Sequence, residues 1–210
     1  MADEHGDIAS ASDELLVEAL KAGENEAFTE LMRRYKSRVF GTVYHYLGDA
    51  DEAADAAQDT FVSIYRNISA FSGRSRLATW IYRIAANAAI NALRQRGRTL
   101  EATAISLDER NDDDDRAAIE PAAKVLHNPR AQLQRKELNE VLRQKLEQLP
   151  EAYRLTFILR EMREMSYEDI AEITDVPIGT VRSRLFQARR RLRELLRPYL
   201  QAEPHRPAAV

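Results

Sequence analysis

The chain has 210 residues, 44% of them hydrophobic, and a formal net charge of −3, enough for two small cores and too acidic overall for a stand-alone DNA binder. It has no cysteine, which excludes disulfides and thiolate metal sites and is consistent with a reducing cytoplasm. The scattered His5, His45, His127 and His205 write neither a metal site nor a triad, and each reads as a surface or loop residue.

In chain order, residues 1–11 form an acidic, polar tail with no leader pattern. A short capped helix then runs from Ser12 to Lys21 and ends at Gly23. Ala27 to Leu47 makes a longer amphipathic helix carrying Phe28, Leu31, Tyr35, Val39, Val43 and Tyr46, stopped by Gly48. Asp51 to Ile68 makes a third helix, with Phe61, Ile64 and Tyr65 as its core face. Arg76 to Arg96 makes a fourth, in which Trp80, beside Ile81 and Ile84, reads as a core residue. From Gly97 to about Pro129 no hydrophobic face persists, which marks a flexible linker, and helices resume at Ala131–Gln148 and from Leu149-Pro150 to Arg163. No period-two strand appears, and no apolar run is long enough to span a bilayer. The expected fold class is therefore all-α, with two small helical domains over 12–97 and 131–198, a linker over 98–130, and a C-terminal tail over 199–210.

The stretch Ser166 to Leu192 is the most specific. Ser166 and Asp169 have capping-box spacing, Ile170, Ala171 and Ile173 supply an apolar face, and Asp175-Val176-Pro177 breaks the helix. Asp175 can cap the next helix, Pro177 suits its first turn, and Val181, Leu185 and Leu192 form its buried stripe. Thr180, Arg182, Ser183, Arg184 and Gln187 are left for the other face. A merely solvated basic helix needs no capped short partner and no proline turn, so the pattern reads as a helix-turn-helix aimed at the major groove. Arg189, Arg190, Arg191 and Arg193, further along, suit phosphates.

Charge is segregated. Acid dominates the N-terminal tail, Asp49 to Asp59 and Asp112 to Asp115; base dominates Arg74 to Arg98 and the last helix. Weak binding to DNA alone and delivery by a larger partner follow from that division.

Four patterns carry a family resemblance: FTELMRRYKSRVF from Phe28, DEAADAAQDTFVSIYRNISAF from Asp51, ATWIYRIAANAAINALRQRGR from Ala78, and LPEAYRLTFILREMREMSYEDIA from Leu149. In this order and spacing the chain resembles a bacterial sigma factor of the extracytoplasmic-function type, over Leu15 to Leu196 apart from the linker. The resemblance implies a subunit of RNA polymerase that recognises a two-part promoter and helps open it, with region 2 over 12–97 and region 4 over 131–198. It implies binding without catalysis and without a cofactor of its own.

On that resemblance Asp55, Gln58 and Asp59 dock on a coiled coil of the largest subunit of core polymerase, with the flap region as the second contact. The residues alone fit an ordinary solvated acidic face equally well. Asn87 and Asn91 are one helical turn apart, and such an amide pair beside basic residues can read base edges. The resemblance makes the loop Phe71-Ser72-Gly73-Arg74-Ser75 a pocket for a flipped base, lined by Phe71 and Asn87. Arg74, Arg76, Arg83, Arg94, Arg96 and Arg98 hold phosphates or are surface charges. For the distal element it implies Arg182, Ser183, Arg184, Phe186 and Gln187, with Thr180 and Arg190 beside them and Arg160 in support. Many members have a basic residue where Gln187 stands, although glutamine can pair bidentately with adenine. The acidic linker is either a nucleic-acid mimic in the polymerase channel or a solubilising tether, and an anti-sigma factor is a further implied partner. Two rival classes, a helix-turn-helix regulator acting without polymerase and a helical protein adaptor, lack a sensory domain in the first case and a use for the last helix's arginines in the second.

Overall fold

The computed structural model describes residues 11–104 and 129–201. The acidic run Asp112–Asp115, most of the expected linker, and His5, His127 and His205 lie outside the described residues. The described residues form eight α-helices and no strand: α1 (Asp13–Ala22), α2 (Asn25–Leu47), α3 (Ala50–Asn67), α4 (Leu77–Ala104), α5 (Pro129–Glu147), α6 (Glu151–Phe157), α7 (Tyr167–Thr174) and α8 (Ile178–Gln201). A 3-10 turn, Ile68–Ala70, follows α3, and a π turn, Ile158–Met162, continues α6.

The helix ends follow local chemistry. Ser12 caps α1 by accepting from Leu15 N, and Asp49 caps α3 by accepting from the amides of Asp51 and Glu52. Gly48 ends α2 at φ 84°, a left-handed conformation that costs glycine little. The Ser166–Asp169 capping box is complete. Asp175, expected to cap the following helix, instead closes α7 in a left-handed conformation (φ 50°), and the carbonyl of Pro177 receives the first amides of α8. Aspartate is among the few residues besides glycine that tolerate this region.

Around α2, which buries Leu31, Tyr35, Val39, Val43 and Tyr46, helices α1, α3 and α4 form the first bundle. Each aliphatic side chain so buried contributes about 1.5–3 kcal/mol. Trp80 is buried against Phe71, with ring centroids 5.2 Å apart. In the second bundle α6, α7 and α8 close over Leu155, Ile158, Ile170, Ile173, Val181 and Leu185. Three expectations are corrected. Tyr65 is 65% exposed, edge-on to Phe28, because Ile64 and Ile68 already fill the core. Helix α4 runs through Gly97 to Ala104, past the expected start of the linker. His45 lies within α2, half-buried, with the charges of Arg163 and Arg143 near it.

The two bundles are clasped by guanidinium groups. Arg154, buried, donates to the carbonyls of Tyr46 (2.6 Å), Glu147 (2.7 Å) and Leu149 (3.2 Å). Arg143 donates to Gly48 O at 2.7 Å and Arg163 to Thr42 Oγ1 at 2.6 Å. Gly41 makes room for this last contact: a Cβ there would stand 2.8 Å from Arg163 Nη2. Helix α7 lies along α4.

Candidate nucleic-acid interface

Two open clefts lie on the first bundle. One, of about 820 Å³, runs between α3 and α4; Asp55 and Asp59 stand on one wall, Asn87 and Asn91 on the other. All four are exposed, as is Gln58, which lies outside the cleft lining. Arg96 and Glu52 approach to 3.7 Å in the same cleft. Carboxylates and amides thus face one opening: acceptors from α3, and donor-acceptor amides from α4.

The second cleft, about 590 Å³, lies between α1 and the loop after α3, lined by Phe71, Ser72 and Arg74 on one side and by Glu14, Glu18 and Lys21 on the other. Gly73 turns that loop at φ 73°. Phe71 is itself buried, so its ring forms the floor of the cleft while Ser72 and Arg74 are exposed on its rim. Asn87 lines the other cleft. The expectation that Phe71 and Asn87 share one pocket is therefore not met: ten residues of α4 separate Leu77, beside Phe71, from Asn87, a rise of about 15 Å.

The basic residues just before α4 and along it divide. Arg94 is exposed. Arg76 pairs with Asp169, and Arg83 reaches Glu172 at 3.4 Å, so both meet carboxylates of α7. Thr79, fully buried, donates to Asp169 Oδ1 at 2.7 Å. Burial alone would raise the pKa of Asp169, but hydrogen bonds from Ser166, Thr79 and Arg76 outweigh it and hold the carboxyl below its ordinary range.

On the second bundle, α8 buries Val181, Leu185, Ala188 and Leu192, which turns Arg182, Ser183, Phe186 and Gln187 outward. Phe186 is 64% exposed, an apolar group without protein cover. Thr180 and Arg184 are half-buried; the Thr180 carbonyl accepts from Ser183 Oγ at 2.9 Å. Arg190 is exposed and approaches Glu194 at 3.5 Å, while Arg189 pairs with Glu161 at 2.5 Å. Arg160 donates to Met165 O at 2.6 Å and lies 5.0 Å from the Tyr167 ring, with Arg182 at 6.0 Å from the same ring. Tyr167, unremarked in the sequence, is thus the platform shared by two expected DNA contacts. Its place right after the N-cap serine was the available signal.

Two family models match: Sigma-70 region 2 over residues 31–99 and Sigma-70 region 4 over residues 139–192. The RNA polymerase sigma-H factor of Pseudomonas aeruginosa is 36% identical over 92% of this chain and 98% of its own. The chain belongs to the sigma-70 family, in its extracytoplasmic-function branch. It is an alternative sigma factor, a protein of transcription initiation. The ECF RNA polymerase sigma-E factor of Escherichia coli K12 is 35% identical over 90% of this sigma factor and 97% of its own length. Among solved structures, the sigma factor RpoE in complex with the anti-sigma factor NepR, from Bartonella quintana, matches at TM-score 0.57 and 26% identity over 88% of this sigma factor and 93% of that chain. No described helix is long and apolar enough to cross a membrane.

Proposed function

We propose that this sigma factor joins core RNA polymerase in the cytoplasm, directs it to promoters with two recognition elements, and assists their opening, while the phosphodiester chemistry and its magnesium belong to the polymerase. The first bundle, over 12–97, takes the largest subunit's coiled coil through Asp55, Gln58 and Asp59. The second, from α5 onward, takes the flap region and the distal element, and the segment between α4 and α5 joins them. On the proximal element, Asn87 and Asn91 read base edges, Phe71, Ser72 and Arg74 hold an unstacked base, and Arg76, Arg83 and Arg94 hold the strand. On the distal element, Arg182, Ser183, Phe186 and Gln187 enter the major groove, with Arg160, Thr180, Arg184 and Arg190 at its edges.

The observation that carries this reading is the α3–α4 cleft, where the polymerase-directed carboxylates and the base-directed amides face each other across one opening. A partner docked on α3 is thereby in position to present DNA to α4. The relatives named sigma-E and the RpoE–NepR complex extend the reading to an envelope or stress response held in check by an anti-sigma factor. The test is to mix the chain with bacterial core polymerase and a promoter library and sequence the transcript starts. Specific starts are expected; polymerase binding without starts, or specific DNA binding without polymerase, refutes the assignment.

A further inference from the structure

The outer face of α8 and the α3–α4 cleft are complementary, yet within one chain they do not meet. Arg182, Phe186, Arg190, Arg193 and Arg197 follow one another at three or four residues and so share one face of α8, about 22 Å long. All five are exposed, and Arg193 and Arg197 make no ion pair among the described residues. Arg190 has only Glu194, at 3.5 Å and open to water. The cleft has the opposite character. Glu52, Asp55 and Asp59 form a row on the α3 wall at the same helical spacing, and Asp55 and Asp59 are exposed without an ion pair among the described residues. Beside them the lining is apolar and mostly small, with Ala56, Ala88 and Ala92 leaving the room of about 820 Å³. Helix α8 packs on α5, α6 and α7, so Phe186 stays 64% exposed while the cleft stays open.

We infer that two copies of this chain bind one another head to tail: the Arg182–Arg197 face of α8 in one copy sits on the Glu52–Asp59 wall of the other, with Phe186 in the cleft between α3 and α4. This goes beyond the function proposed above and does not depend on it. Charge sets the orientation. A chain of net charge −3 that keeps its acid on α3 and its base on α8 repels a second copy through like faces and attracts it through unlike ones. Every cation of the α8 row is arginine, whose planar fork can meet a carboxylate with two parallel hydrogen bonds. Phe186, flanked by Arg182 and Arg190, supplies the apolar anchor, and the alanines of the cleft leave space for its ring. One helix face on one cleft is a small interface, so the association is weak and reversible. Each contact covers the α8 face of one copy and the cleft of the next, and a partner that takes either surface disperses the assembly.

Sedimentation equilibrium of the full chain at low salt, from about 10 to 300 µM, is expected to show mass rising with concentration and a dissociation constant on the order of tens of micromolar. Raising the salt to about 0.5 M should weaken the association about tenfold. Two double variants divide the contact. Phe186→Ser with Arg190→Glu removes the α8 half, and Asp55→Lys with Asp59→Lys removes the cleft half; each alone is expected to bind itself at least about tenfold more weakly than wild type. Mixed, the two retain one intact α8 face and one intact cleft, and are expected to form a 1:1 complex with an affinity near that of wild type. All four positions are exposed, and a complex in the mixture itself shows that both variants are folded. A wild-type chain that stays monomeric over the whole range, self-association that survives in either variant or in high salt, or a mixture that forms no complex overturns the proposal. Neither polymerase nor promoter enters the measurement, so these outcomes refute self-association alone, whereas failure of the chain to start transcripts with core polymerase refutes the function alone.

Discussion

Replacing Arg154 by methionine should destabilise the protein by about 2–4 kcal/mol. Arg154 is 7% exposed, and its guanidinium serves three carbonyls that the helices themselves leave open: Tyr46 near the end of α2, Glu147 at the end of α5, and Leu149 between α5 and α6. It also lies 5.6 Å from the Tyr46 ring, on the far bundle. Each stranded buried carbonyl costs about 1–3 kcal/mol. The full sum is not reached, because Glu147 O lies at the partly buried edge where water can replace the donor, and because methionine avoids the cost of burying a cation, a cost visible in the lowered pKa of Arg154. At about 2–4 °C per kcal/mol for a chain of this size, the midpoint should fall by roughly 4–16 °C. Thermal unfolding followed by circular dichroism measures this. The only tryptophan, Trp80, buried in the first bundle, supplies a local probe of that bundle alone. In the wild type the two signals should change together, and in Arg154→Met the helical signal should begin to fall before that of Trp80. An Arg154→Met protein that melts within 2 °C of wild type, or about 0.5–1 kcal/mol, with coincident signals, refutes the clasp.

Three further predictions concern single groups. Arg182→Ala should weaken discrimination at the distal element by about 1–3 kcal/mol, roughly 5- to 150-fold, and leave polymerase assembly intact; equal loss of both in a pull-down and a promoter-binding assay would mean a folding role instead. Asp55→Lys with Asp59→Lys should reduce assembly with core polymerase by about tenfold or more without weakening binding to single-stranded DNA, and unchanged co-elution with the enzyme refutes the docking surface. His45, whose pKa burial and the nearby Arg163 and Arg143 push down from 6.5 to about 4, binds its proton more readily unfolded than folded. Its contribution is constant above pH 6.5 and is lost as pH falls from 6.5 towards 4, by an order of about 3 kcal/mol. Glu30, held at about 2 by Arg33 and Arg34, acts only below 4.5 and leaves the upper part of that window to His45. Urea midpoints measured between pH 5 and 7 should flatten in His45→Gln; an unchanged slope means that another group is responsible.

What the sequence made legible was whatever depends on neighbours along the chain. The stripe Leu31, Tyr35, Val39, Val43 and Tyr46, the stop at Gly48 and the Ser166–Asp169 box are all local patterns, and each stands in the structure as read. Period alone misplaced Tyr65, since four residues after Phe61 it returns to a similar angle but at the rim, where Phe28 offers an edge and not a core. Gly97 did not stop α4 because a mid-helix glycine costs only about 1 kcal/mol, and strong helix formers flank it. The candidate site was legible as a set of side chains, not as a set of neighbours. Asn87 and Phe71 sit at different clefts, and Arg76 meets an aspartate 93 residues away, a distance no local pattern spans. The clasp of Arg154 and Arg163 was equally hidden, since nothing in LPEAYR or REMRE distinguishes a buried arginine from a solvated one.

These contacts also separate two perturbations that look alike. Truncating Arg154 leaves Tyr46 O and Leu149 O buried without a donor, whereas moving the bundles apart gives Tyr46 O to water and returns the guanidinium to water as well. The first costs about 1–3 kcal/mol per stranded group; the second costs about 1 kcal/mol net per hydrogen bond exchanged. Among the described residues the bonds that cross between the bundles are few: Arg154 to Tyr46, Arg143 to Gly48, Arg163 to Thr42, Arg83 to Glu172, and the Asp169 pair with Arg76 and Thr79. An interface built this way is expensive to damage and inexpensive to open. A partner that prefers the parted form by a few kcal/mol would reverse the balance.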